Sequence, residues 1–123
     1  MKMLYLSSRK FSAVDIDSKW STCCDLLYCE DIETLVRKIG DKEFLFVCDR
    51  YRSKESTVTA FNEKFEPVIT GPFLVGGIDE EGNERDLTDE EFSLLAKNMI
   101  QIELELASGE YRRYVLRNVR QLH

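Results

Sequence analysis

Histidine is almost missing from this sequence: His123, at the last position, is the one imidazole in 123 residues. Ser/His and Cys/His nucleophilic pairs need an imidazole held in place, so neither is expected. Phosphate-cradling loops are missing too, since neither Thr70-Gly71-Pro72 nor Gly76-Gly77 has the spacing of a P-loop or a dinucleotide fingerprint. No apolar run approaches the roughly 20 residues of a membrane span. The start, Met1 to Ser8, has a strand-length apolar patch without signal-peptide architecture, so no membrane association is expected. Cysteine is present without pattern. Cys23, Cys24, Cys29 and Cys48 contain no C-x-x-C and no histidine at zinc-ligand spacing. Free thiols without an export signal imply a cytoplasmic protein, with no metal and no cofactor expected.

What is present is an ordinary globular composition, 43% hydrophobic and 33% charged. The length fits one domain, residues 1–123. The formal net charge is −6, and it is unevenly spread. From Asp79 to Glu91 there are eight carboxylates and one base, Arg85, a formal −7 within 13 residues. The remainder is close to neutral, and Tyr111 to His123 carries Arg112, Arg113, Arg117 and Arg120 with no side-chain acid. An acidic segment repels nucleic acid and favours a basic partner or a solvated turn. A calcium loop does not fit it. With Gly82 at the sixth position, the first falls on Gly77 and the twelfth on Thr88.

Periodicity divides the chain. Lys2–Ser7 and Phe11–Asp17 read as strands, while Trp20 to Cys29 is ambiguous between a short strand and a bend. Ile32, Leu35, Val36 and Ile39 fall at helical spacing, with acids before them, Arg37 and Lys38 late, and Gly40 following, which predicts a helix. Glu43–Cys48 reads as a central strand buried on both faces, and Thr57–Phe61 as a β-branched strand. Val68–Thr70 and Phe73–Val75 flank Gly71-Pro72, predicting either two short strands or one bent strand. Thr88-Asp89-Glu90-Glu91 is a capping box with a Leu87/Phe92 staple, opening a helix to about Asn98. Ile100–Leu106 alternates strictly, and Tyr111–Val119 should return antiparallel. A three-residue turn at Ser108–Glu110 would set Leu104 opposite Tyr114 and Glu105 opposite Arg113. It is favoured over a two-residue turn at Ser108-Gly109, which sets Glu105 opposite Arg112 but Arg113 opposite Leu104. Two helices and six to eight strands without βαβ order predict an α+β fold, a largely antiparallel sheet with both helices on one face.

The stretch Phe65–Ala96 carries "I-x-G-x-x-x-V-x-G", an acidic turn ending in Gly and "L-T-D-E-E" opening a helix. Together with the preceding run Glu43–Asp49, it resembles a family of small phage- and plasmid-encoded proteins of unknown function. The resemblance covers about residues 43–96 and implies an accessory protein of a mobile element; it carries no catalytic residues.

Two function classes follow. The first is a non-enzymatic interaction protein that binds a basic host protein through Asp79, Glu80, Glu81, Glu84, Asp86, Asp89 and Glu90. Its carboxylates could stand where a nucleic-acid-handling factor expects phosphates. The second is a small nucleic-acid-binding module using Arg50, Tyr51, Arg52, Arg112, Arg113, Tyr114 and Arg117, in which arginines grip phosphates and tyrosines stack on bases. A ligand pocket lined by Trp20, Phe44, Phe61 and Phe73 is a third arrangement, for which core packing is the simpler reading. Oligomeric state is not readable from the sequence.

Overall fold

The computed structural model describes residues 1–17, 19–51, 58–106 and 109–121. In chain order its elements are β1 (Lys2–Leu6), β2 (Phe11–Asp15), α1 (Trp20–Leu27), β3 (Ile32–Ile39), β4 (Lys42–Asp49), β5 (Val58–Phe61) and β6 (Pro67–Thr70). There follow β7 (Phe73–Ile78), β8 (Glu84–Arg85), α2 (Asp89–Asn98), β9 (Met99–Leu106), β10 (Gly109–Leu116) and β11 (Val119–Gln121). The fold is α+β, as expected from the sequence.

Seven strands form a main sheet in the order β11-β3-β4-β7-β1-β2, with β8 added beside β7; its pairs are all antiparallel. The other four form a second sheet, β6-β5-β10-β9, in which β5 and β10 run parallel. The main sheet is buried on both faces. Five consecutive residues of β4, Phe44 to Cys48, are buried, and successive side chains of a strand point to opposite sides. Phe44, Phe46 and Cys48 join Leu4, Leu6, Phe73 and Val75 in a cluster with Ala60, Ile69, Tyr114 and Leu116 of the second sheet. Leu45 and Val47 join Met3, Tyr5 and Leu74 against Cys23 and Leu27 of α1.

The helix expected over Ile32–Ile39 is strand β3 instead. The four apolar residues that fit a helical face also fit two faces of a strand. Leu35 and Ile39 belong to the cluster facing the second sheet, and Ile32 and Val36 to the one facing α1. An i, i+4 pair on each side of a strand gives the spacing i, i+3, i+4, i+7. Pairing with β4 along the whole of β3 then decides the matter. Gly40, read as a helix C′ residue, has φ +61° and opens the two-residue turn joining β3 to β4.

The helices also divide between the faces rather than sharing one. Leu95 of α2 packs in the cluster of the two sheets, whereas α1 covers the opposite face. A sheet apolar on both sides needs cover on both, so two helices on one face would leave the Leu45/Val47 side wet. Helix α1 itself lacks the usual local marks, with no side-chain cap at Lys19 and no acid in its first turn. It ends at Tyr28 in the left-handed region, φ 54°. Among the described residues there are eleven strands, more than the expected six to eight, because β3 is a strand and because β8 and β11 are short additions.

Gly71 (φ +73°) and Pro72 mark the point where the chain leaves the second sheet at β6 and enters the main sheet at β7. The β9–β10 hairpin pairs Leu106 with Gly109, Glu103 with Arg112 and Met99 with Leu116. That register differs from the expected one by three residues, an odd number, so each strand meets the other with the opposite alternation. The expected turn began too late, since Gly109 and Glu110 already belong to β10; Ala107 and Ser108 lie outside the described residues.

Two adjacent glycines of β7 give a test of this packing. A Cβ on Gly76 would meet the flexible tip of Met3, but one on Gly77 would lie 3.0 Å from the backbone oxygens of both Arg85 and Asp86. Gly77→Ala is expected to lower stability by about 1–3 kcal/mol, and Gly76→Ala by clearly less, in denaturant unfolding of the two variants. Equal losses would contradict the close approach of β8 to β7.

Candidate functional site

The acidic segment folds as a hairpin loop followed by a helix start. Asp79 fastens the loop: its carboxylate accepts the backbone N–H groups of Glu81 (2.9 Å) and Asn83 (2.8 Å). Its own N–H donates to the carbonyl of Asn83, and that of Gly82 donates to the carbonyl of Asp79. Gly82, with φ +86°, takes the left-handed position this tight loop requires. With Asp79 used internally, Glu80, Glu81 and Glu84 are exposed.

The strand after the loop is locked to the helix by a buried charge. Glu91 is fully buried (0% exposed), and both of its carboxylate oxygens accept from the Arg85 guanidinium, Oε2 at 2.8 Å. Oε1 also accepts the N–H of Thr88, while the Thr88 hydroxyl accepts the N–H of Glu91, so the expected capping box is complete. Leu87 is buried and Phe92 packs on the same core cluster. Hydrogen bonding from Arg85 outweighs burial and holds the Glu91 carboxyl down at about 2, while the same contact raises the Arg85 guanidinium. The connection between them is tied to β1, because the Lys2 N–H donates to Asp86 (3.0 Å) and the Leu87 N–H to the Lys2 carbonyl.

Asp86, Asp89 and Glu90 are exposed beside this lock. Glu90 approaches Lys42 at 4.0 Å, which brings the β3–β4 turn to the start of α2. A groove of about 570 Å³ runs between them, lined by Asp41, Glu43, Asp79, Glu80, Lys42 and Arg85 among others. The fold therefore adds Asp41 and Glu43 to the acidic face. Nothing local in the sequence marks these two, since only the meeting of the β3–β4 turn with the hairpin loop brings them there. The cations of the groove are engaged already, Arg85 by Glu91 and Lys42 by Glu90.

The arginine–tyrosine set is not assembled in the same way. Arg50 sits at the end of β4 with its Nε 2.7 Å from Asp31, which also accepts from the Trp20 indole at 2.8 Å. That hydrogen bond from Trp20, with the contact to Arg50, holds the Asp31 carboxyl below its usual range. Tyr51 is exposed, and Arg52 lies outside the described residues. On the second sheet, Arg113 lies over the Phe61 ring, 5.8 Å from its centroid, and the backbone of Arg112 pairs with Glu103. Tyr114 is fully buried, and its hydroxyl donates to the carbonyl of Ser7 at 3.2 Å. A base could stack on it only after the core had opened. Arg117 is exposed beyond the end of β10. Of the aromatic residues considered as a pocket, Phe44 and Phe73 are core and Trp20 is an exposed residue of α1.

The four cysteines are reduced, and the Cys48 thiol donates to the carbonyl of Glu33 at 3.8 Å. Burial, with Cys24 as neighbour, pushes the Cys29 thiol up to about 12, and burial raises that of Cys23, which leaves both protonated at neutral pH. Among the described residues, no three His, Cys, Asp or Glu side chains stand together as a metal site, and no helix is long and apolar enough to cross a membrane. Set against protein-family models, curated proteins and solved structures, the chain matches none.

The Arg85–Glu91 pair yields a pH prediction with a definite sign. A carboxyl depressed from 4.5 to about 2 contributes its full stabilisation above pH 4.5 and loses it as the pH falls toward 2. Glu91→Gln is expected to cost about 3 kcal/mol at pH 7 and to flatten the acid limb of the stability curve in denaturant titrations from pH 2 to 7. Wild-type stability in that variant, or an unchanged acid limb, would contradict the pair's role.

Proposed function

We propose that the chain is a non-enzymatic interaction protein whose acidic face docks on a basic surface of a partner protein. The observation that carries the reading is the preformed set of carboxylates around the β7–β8 loop and the start of α2. Glu80, Glu81, Glu84, Asp86 and Asp89 are exposed, while the nearby Arg85 is taken up by the buried Glu91. Charges fixed on a hairpin and a capped helix cost little ordering entropy on binding, and they steer a basic partner toward the face. Such a row of carboxylates suits a surface built for phosphates, so the partner class we favour is a nucleic-acid-handling protein. A cytoplasmic setting and an origin in a phage or other mobile element belong to the same proposal. The origin rests on the resemblance of about residues 43–96 alone.

The test is capture of partners by the tagged chain from a nuclease-treated bacterial lysate at low and physiological salt. Wild type is expected to retain a basic protein that weakens as salt rises. The triple variant Glu80→Lys, Glu81→Lys, Glu84→Lys, at exposed loop positions, is expected to lose it while keeping the wild-type melting temperature. Equal capture by the charge-reversed chain would overturn the reading, and loss of captured material on nuclease treatment would move it to the arginine–tyrosine set.

A further inference from the structure

Among the described residues, the main sheet ends at β2, and no further strand pairs with it. In the β1–β2 hairpin, the Ser7 N–H donates to the Lys10 carbonyl and the Ile16 N–H to the Met1 carbonyl. In an antiparallel ladder, inward-bonding residues alternate with outward-pointing ones. Lys10 and Ile16 bond inward, so Ser12 and Val14 do as well. The backbone N–H and C=O groups of Phe11, Ala13 and Asp15 therefore point away from the sheet. The ladder from Lys2↔Asp15 to Leu6↔Phe11 has no register shift, and Phe11-Ser12-Ala13-Val14-Asp15 contains no proline, glycine or lysine. Bulges, proline and lysine are among the devices that usually blunt a sheet edge, and the one charge in this strand, Asp15, is met by the amino group of Met1. The edge is also stiff. Phe11 packs on Tyr114 with ring centroids 5.7 Å apart, and the Tyr114 hydroxyl holds the hairpin carbonyls of Ser7 and Lys10.

Beside this edge runs an open groove of about 800 Å³ between β1–β2 and α2. Leu4, Phe11 and Ala13 line it from the sheet, and Phe92, Ser93 and Ala96 from the helix. Asp89, Asp15 and Lys2 are its charged lining residues. Asp15 is met by the amino group of Met1 at 2.8 Å, whereas Asp89 is exposed and continuous with Asp86 and Glu90.

We infer that β2 and this groove receive an extended segment of a partner protein by strand addition. Alternate apolar side chains of the segment enter the groove against Phe92 and Ala96, and a lysine or arginine sits near Asp89. Charge complementarity selects this occupant over a second copy of the chain. Each copy carries a net charge of −6, so a second copy approaches against like charge, whereas a basic segment is attracted. The choice of a basic segment rests on the proposed function; the strand edge and the groove do not. Main-chain bonds to three outward positions supply affinity, and the alternating apolar contacts supply selectivity.

The probe is a displayed library of random peptides of about ten residues, selected on the whole chain. The expected binders share apolar residues at alternate positions and at least one Lys or Arg. Their affinity should fall by roughly tenfold or more in Ala13→Pro, which removes an outward N–H that β1 does not use. The same loss is expected in Ala96→Trp, which fills the groove from an exposed helix position and decides the matter if the proline variant does not fold. Absence of binders, or a smaller loss in every folded variant, overturns the inference. So does a wild-type dimer that becomes monomeric in Ala13→Pro, since that would assign the edge to a second copy. The inference and the proposed function fail separately. A lysate partner lost on reversal of Glu80, Glu81 and Glu84 but kept by Ala13→Pro leaves the acidic face standing without the strand edge.

Discussion

A fully buried carboxylate has to be neutralised by its surroundings, and Glu91 meets that demand with Arg85 on one side and Thr88 on the other. Three parts of the molecule are fixed by this one residue. The helix α2 is capped, the short strand β8 is held against it, and β8 pairs with β7 inside the main sheet. Gly77 lets this happen, because any side chain there would press on the carbonyls of Arg85 and Asp86. The acidic loop between β7 and β8 is thus carried at both ends by structure that cannot easily move.

The distribution of charge follows from the same arrangement. Arg85 is itself 37% exposed, and without Glu91 it would have neutralised part of the segment around it. Spent on Glu91, it leaves Glu80, Glu81, Glu84, Asp86 and Asp89 to face solvent, and the β3–β4 turn adds Asp41 and Glu43 across a shared groove. The basic residues are treated differently. Asp31 holds Arg50, the Phe61 ring lies under Arg113, and Tyr114 is a core residue that anchors the β1–β2 hairpin. Acidic side chains are gathered and presented, while Arg50, Arg113 and Tyr114 are held in separate local contacts.

How much of this was legible depended on how local the signal was. The capping box, the staple and the bounds of α2 could be read from Leu87 to Asn98, because a helix N-terminus is specified by neighbours in sequence. The two-sided burial of β4 was readable from its unbroken apolar run. The nature of β3 was not, since Ile32, Leu35, Val36 and Ile39 satisfy a helix and a two-sided strand equally, and only pairing with β4 and β11 separates them. Helix α1 was hidden by the lack of a side-chain cap at Lys19 and of charges that suit the dipole in its end turns. The acidic segment was visible as a run of carboxylates, but the burial of Glu91 and the arrival of Asp41 and Glu43 are tertiary facts. The groove beside β2 is likewise made by residues about 80 positions apart, Phe11 and Phe92, whose meeting no local pattern announces.

The account turns on one ion pair that leaves the surrounding carboxylates unopposed, so the most direct measurement is the titration of Glu91 itself. Carbon-detected NMR of its side-chain carboxyl through the acid range, with Glu80 and Glu81 as exposed internal references, reads that group alone. A midpoint near 2 is the predicted result. A midpoint close to 4.5, the ordinary value for a glutamate, would mean that Arg85 does not engage Glu91 and that the acidic face is not held as described.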